Sequence, residues 1–366
     1  MEDNFSISYQ DWWKERNSMD LSLPVVLYFD CSHINSYGRV VITPLFHILA
    51  LIGILGNIWS VYICLRPMRP WTIGSIGILN LALCDLAYLT SMPPRALQIY
   101  SHYDWSMGRT LCILSSMLHF VGLTSSTMFI CAISVDRFMA IMFPLESRMV
   151  RTPRNAALVS GLLWAITVLL IYLSYPNIVY WERKSGFCYC GVIVTSNRRS
   201  VGATYSLLSY YCIQVSVPLL LIIPSYIKII ARMKQSRLQW AACGIITQGR
   251  DKTIWLIAVF IANFLVCWVP GQLLHIVACI IFFTVYDHTN MCRVANMVNI
   301  LVEISQLLYC LNACLDPIIF HIQERAAKRI CKALVCPVSW WSNSIWKSNK
   351  KNLVPPPSVS VVKVKV

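Results

Sequence analysis

Residues 111–138 read LCILSSMLHFVGLTSSTMFICAISVDRF. Cys112 opens this run, and the adjacent pair Asp136-Arg137 closes it, with Arg137 standing 25 residues after Cys112. As a helix, that distance is ~37 Å, close to a whole bilayer with its interfaces. Cys112 therefore sits at one membrane surface, where a disulfide can form in an oxidising compartment, and Arg137 sits at the opposite one.

Six more stretches have the length and apolarity of a membrane-spanning helix. The seven together are 41–65, 73–99, 109–142, 155–176, 205–232, 252–283 and 294–320. The composition agrees. Of the 366 residues 57% are apolar and 13% charged, against ~25% charged in an ordinary soluble domain. The expected fold is an all-α membrane protein, a seven-helix transmembrane bundle. No internal repeat is visible, which argues against a transporter built from inverted halves, and residues 1–40 are too polar and acidic for a cleavable signal peptide.

The net charge is +15, and its distribution sets the orientation. Of the 31 Lys and Arg, nine fall on the side of the N-terminal segment, 21 on the opposite side, and Arg95 lies inside the second span. The richer side is expected to be cytoplasmic. The chain then reads as residues 1–40 outside, a bundle over 41–320, a membrane-surface helix over 321–336 and a disordered cytoplasmic tail over 337–366. The basic excess is a membrane-surface feature, and with no soluble basic domain no nucleic-acid partner is expected. Asn4 in Asn-Phe-Ser is a glycosylation acceptor. Arg325, Lys328, Arg329 and Lys332 alternate with Ile322, Ile330 and Leu334, the pattern of an amphipathic helix in contact with membrane lipids. Cys331 and Cys336 there are palmitoylation candidates, or plain thiols.

Polar residues inside the spans carry the functional signal. Asn57, Asp85, Ser126, Asn312 and Asp316 lie at mid-membrane depth, and an intramembrane carboxylate is costly enough to be a functional hypothesis by default. Arg95 follows Asp85 by ten residues, ~15 Å nearer the Cys112 side, and needs an anion. That anion is either a ligand phosphate or carboxylate or the side chain of Glu303. His119 stands seven residues before Ser126, and His275 seven after Trp268, so both face the same cavity; Tyr210, Gln214, Gln272 and Gln306 offer further polar contacts. Pro270 permits a kink in the sixth span, beside Phe264 and Trp268, which share a helix face. No nucleophile-and-base pattern stands out, so an enzyme is not expected, and no His/Cys spacing suggests zinc.

These residues resemble the rhodopsin-like G-protein-coupled receptors over about residues 40–335. The resemblance rests on Gly56-Asn57; Asn80-Leu81-Ala82-Leu83-Cys84-Asp85; Asp136-Arg137-Phe138; Trp164; Pro218 with Tyr226; Phe264 through Pro270; and Asn312 with Asp316-Pro317-Ile318-Ile319-Phe320. The Asp316-Pro317 and Phe-x-x-Cys-Trp-x-Pro forms look like the branch of purinergic, lysophospholipid and proteinase-activated receptors. The resemblance implies a multi-pass plasma-membrane receptor that shifts between two states when ligand binds outside. It implies an Asp136-Arg137 ion pair that holds the resting state until the sixth span swings outward. Heterotrimeric G protein, and arrestin, are the implied inner partners. It also implies that the polar core gathers around a sodium ion or waters, the alternative being a hydrogen-bonded core without an ion. No other cofactor is expected. Phe138 and Phe320 lack the hydroxyls usual in the family. The amine receptors carry Asp at the place of His119, so an amine ligand is not expected. Arg95 with this branch suggests an anionic lipid such as a lysophospholipid, with a nucleotide or peptide as the alternative, and a non-signalling scaffold as a further one. Cys112 is expected to pair with Cys188 or Cys190, and Cys31 with Cys292.

Overall fold

The computed structural model describes residues 38–66, 71–101, 104–174, 178–182, 188–192, 201–242, 259, 261–284 and 297–319. Seven helices within it are long and apolar enough to cross a membrane: Val40–Cys64, Ile73–Tyr100, Gly108–Met142, Pro153–Tyr172, Leu208–Gln235, Ile261–Ile281 and Met297–Ile319. These coincide with the seven stretches read from the sequence. Asn4, Cys31, Cys292, Phe320, Cys331, Cys336 and the expected surface helix and tail lie outside the described residues.

The burial pattern is the reverse of a water-soluble bundle. Leu158 and Tyr172 on the fourth span are 73% and 75% exposed, while Asp85 is 2% exposed. Hydrocarbon offers no hydrogen-bond partner, so polar groups turn inward and satisfy one another. They do so across helices. Trp164 Nε1 donates to Asn80 Oδ1 at 2.8 Å, and Asn80 Nδ2 donates to Ser160 Oγ at 3.1 Å, tying the second span to the fourth. Asn57 Nδ2 donates to Ala313 O at 3.0 Å, tying the first to the seventh. Tyr88 OH donates to Gln306 O at 2.9 Å. Each such bond contributes about 0.6 kcal/mol, up to ~1.7, so the bundle depends on their number.

Proline shapes two spans. In the second, Pro93 and Pro94 bring no N–H, and helix geometry breaks at Ser91 between Ile73–Thr90 and Met92–Tyr100. Ser91 Oγ donates to Tyr88 O at 2.6 Å and Thr90 Oγ1 to Leu86 O at 2.7 Å, so side chains supply local donors. In the sixth, Phe264–Trp268 form one wide π turn in which Val269 N–H reaches back to Phe264 O. The turn immediately precedes Pro270, and such bulges are where helices bend.

A short antiparallel hairpin joins the fourth and fifth spans, with β1 (Ile178–Glu182) paired to β2 (Cys188–Val192) so that Tyr180 faces Cys190. The all-α fold expected from the sequence contains no such strands. The signal was present in the β-branched and aromatic run Ile178-Val179-Tyr180-Trp181.

The second and third spans touch backbone to side-chain position at Gly122. A Cβ there would lie 2.6 Å from Tyr88 N and 2.7 Å from its Cα. Backbone cannot yield as a flexible side chain can, so Gly122→Ala should force the two spans apart and cost about 1–3 kcal/mol. A Cβ at Gly161 would meet nothing within 4 Å, and Gly161→Ala should be neutral or stabilising. Thermal unfolding of the two purified variants should separate them; equal midpoints would refute the close-contact account.

Candidate functional site

Toward the Cys112 end the bundle holds a closed circuit of aromatic rings drawn from five spans. Tyr88 meets His119 (ring centroids 5.2 Å), His119 meets Phe120 (5.7 Å), and Phe120 meets Tyr210 (5.8 Å). Tyr210 meets Tyr211 (5.2 Å), Tyr211 meets His275 (4.7 Å), His275 meets Tyr309 (5.9 Å), and Tyr309 returns to Tyr88 (6.2 Å). Trp268 lies against Tyr309 at 5.1 Å. Aromatic pairs in such geometries contribute about 0.5–1.5 kcal/mol each beyond burial, so the circuit is a stiff floor.

Hydrogen bonds orient its members. Tyr210 OH lies 2.8 Å from Thr124 Oγ1 and accepts from Gln214 Nε2 at 3.1 Å. His275 Nδ1 lies 2.7 Å from Ser305 Oγ and 3.2 Å from Gly271 O. Other buried polar atoms have no protein partner among the described residues: Trp268 Nε1, Gln306 Oε1, Tyr309 OH and both amide atoms of Gln272. Buried polar groups of folded proteins are nearly always bonded, so these atoms have capacity for further partners.

Arg95 belongs to this pocket. It lies within electrostatic range of Tyr88, His119, Tyr211 and His275. Its Nη1 donates to Cys190 O at 3.2 Å and to Gln98 Oε1 at 3.5 Å. Both partners are neutral. Among the described residues no ion pair joins Arg95 to Glu303. A guanidinium has five donors, and several remain for an anion.

The hairpin is fastened over this end. Cys112 and Cys190 form the disulfide. Cys188 contributes through its backbone instead: its N–H donates to Asp104 Oδ1 at 2.9 Å, and its carbonyl accepts from Trp105 N at 2.8 Å. Gln98 Nε2 donates to Cys190 O at 2.9 Å.

Deeper, the expected polar core assembles in part. Asp85 faces Ser126 and Asp316. Asn312 Nδ2 donates to Asp316 Oδ2 at 3.1 Å. Asn263, which the sequence reading missed, donates to Asn312 Oδ1 at 2.9 Å and to Asp316 Oδ1 at 3.3 Å. Its signal was a lone amide in the apolar sixth span. Asn57 bonds the backbone at Gly53 O and Ala313 O, so it anchors the core without touching a carboxylate. Asp85 Oδ2 is buried with no donor among the described residues.

At the opposite end the expected Asp136–Arg137 pair is replaced. Asp136 accepts from Arg151 Nε at 2.7 Å and Arg151 Nη2 at 3.1 Å, a two-pronged ion pair. Neighbouring residues on a helix point in different directions, whereas a guanidinium fork matches both carboxylate oxygens. Arg137 makes no hydrogen bond or ion pair among the described residues. It lies beside Gly74, where a Cβ would be 3.6 Å from its Nη2, and within electrostatic range of Tyr226, which faces Ser134. Phe264, Trp268 and Pro317 are buried and Pro270 is half-buried.

Comparison with known proteins matches residues 56–320 to a family model described as 7 transmembrane receptor (rhodopsin family). Among similar proteins, the rat (Rattus norvegicus) galanin receptor type 2 is 27% identical over 314 residues, covering 82% of this chain and 78% of its own length. The mouse (Mus musculus) type-1 angiotensin II receptor B is 26% identical, over 81% of this chain and 80% of its own. A purinoceptor of the rat is 27% identical, over 82% and 79%.

The geometry discriminates the two candidate cysteines. Cys190→Ser should remove the bridge and with it surface expression or thermal stability, whereas Cys188→Ser should retain both. Surface labelling of the two variants checks this, and equal losses would break the assignment.

Proposed function

The chain belongs to the rhodopsin family of seven-transmembrane receptors, and on that premise we propose that it is a plasma-membrane receptor for an extracellular anionic ligand, signalling through heterotrimeric G proteins. Its family consists of receptors, not enzymes. The N-terminus is placed outside and the tail in the cytoplasm. The charge asymmetry supports this, as does the disulfide at the Cys112 end, since disulfides persist in oxidising compartments.

The observation that carries the ligand reading is Arg95: a guanidinium beside the aromatic circuit, bonded among the described residues to neutral oxygens. A half-buried guanidinium with donors to spare pairs bidentately with a ligand phosphate or carboxylate. The aromatic circuit suits an apolar body behind the anion, as in a lysophospholipid. A nucleotide carries several phosphates, whereas the described pocket offers this single Arg or Lys among the rings. A peptide is the second reading, favoured by two relatives named for galanin and angiotensin II and by the amides of Gln272 and Gln306.

Ligand seated on the circuit presses on Trp268. The wide turn and Pro270 give the sixth span a hinge there, and its outward swing opens the Arg137 end to a G protein, and afterwards to arrestin. The Asp85–Asp316 region fits a monovalent cation, because Asp85 Oδ2 is a buried acceptor without a donor among the described residues. A cation held there stabilises the resting arrangement.

Anionic lipids, nucleotides and peptides should be screened on cells carrying wild type and Arg95→Ala. The variant should lose at least tenfold in potency for the active ligand, on the order of 1.4 kcal/mol, at unchanged surface expression; equal potency would exclude the anion clamp. Separately, Arg137→Ala should abolish nucleotide exchange on the G protein while ligand binding stays measurable. Retained exchange would remove Arg137 from the switch.

A further inference from the structure

A cleft of about 250 Å³ lies between the starts of the second and fourth spans and the inner half of the third. Its walls are apolar, formed by Phe129, Ala132, Ile133, Ala156, Val159 and Leu163. Its rim carries Asp136, Arg137, Arg151 and Thr152. Val159 and Val150 are 48% and 60% exposed, so the cleft opens on the bundle's outer surface, toward the bilayer.

Two properties define an occupant. The first is polarity along the depth. At the inner end, Ser160 Oγ donates to Ala156 O at 2.8 Å while accepting from Asn80, whose amide is also bonded to Ile76 O and Trp164. These polar groups are already bonded, so the depths suit only a hydrocarbon chain. The volume is also below the ~300–1,000 Å³ of sites that enclose a whole small molecule; a chain segment continuing into the membrane fits instead. The second property is charge. Two guanidinium groups share the rim with one carboxylate, and Arg137 has no described ionic partner. The second and fourth helices both begin here, at Ile73 and Pro153, adding the positive ends of their dipoles to that excess.

We propose that this cleft binds an anionic phospholipid of the cytoplasmic leaflet, with one acyl chain between the spans and its phosphate at Arg137 and Arg151. The headgroup then competes with Asp136 for the Arg151 fork, which places a lipid beside the pair that fastens the inner end of the third span. The proposal depends on neither the outer ligand nor the G protein.

The test uses the full chain in nanodiscs of phosphatidylcholine doped with equal minor fractions of phosphatidylserine and phosphatidylethanolamine. Both leaflets are equivalent there, so the result is independent of orientation. Lipid retained after detergent extraction is quantified by mass spectrometry. Phosphatidylserine should be retained at least fivefold over phosphatidylethanolamine, about 1 kcal/mol. Ala156→Phe, which fills the cleft without changing charge, should abolish that preference. Val159→Trp, which blocks the mouth from an exposed position, should do the same and guards against misfolding of the first variant; thermal unfolding verifies both. Equal retention of the two lipids by wild type, or a preference unchanged in a folded variant, overturns the proposal. So does a sterol added to the discs that displaces phosphatidylserine from wild type.

Discussion

Hydrocarbon around a helix bundle accepts no hydrogen bonds, and a polar group left facing it costs several kcal/mol. In this chain that penalty exceeds what any single interhelical bond contributes, so it decides which way each face turns. Asn80, Asn57, Tyr88 and Thr124 are each placed where a neighbouring helix supplies a partner. The outward faces are left to leucine, isoleucine and valine. Once the polar faces are fixed inward, the core around Asp316 and the aromatic cluster around Arg95 share one interior.

The sixth span connects the two. Trp268 packs under Tyr309, and the wide turn runs from Trp268 back to Phe264. Asn263, one residue before that turn, holds Asn312 and Asp316. A rotation that moves the tryptophan therefore strains the Asn263 bonds, or carries the seventh span with it. The sixth span thus joins the pocket and the core by a contiguous chain of contacts, the kind of network that carries coupling between distant sites.

The seven spans were legible because twenty apolar residues in a row have few other uses. The polar core was legible because charge inside such a run is costly. What escaped were relations between elements. Arg151 reads as one more loop arginine, and only the fold brings it to Asp136 across 15 positions of sequence. The choice between Cys188 and Cys190 was beyond pattern, because residues two apart on a strand share a face; the register set by Trp105 and Asp104 decides it. Asn263 and the hairpin did leave local marks, a solitary amide and an alternating aromatic run.

The carbonyl that receives Arg95 and Gln98 belongs to Cys190, the same residue whose sulfur is bonded to Cys112. The bridge that holds the hairpin to the third span therefore also sets the oxygen on which the Arg95 guanidinium rests.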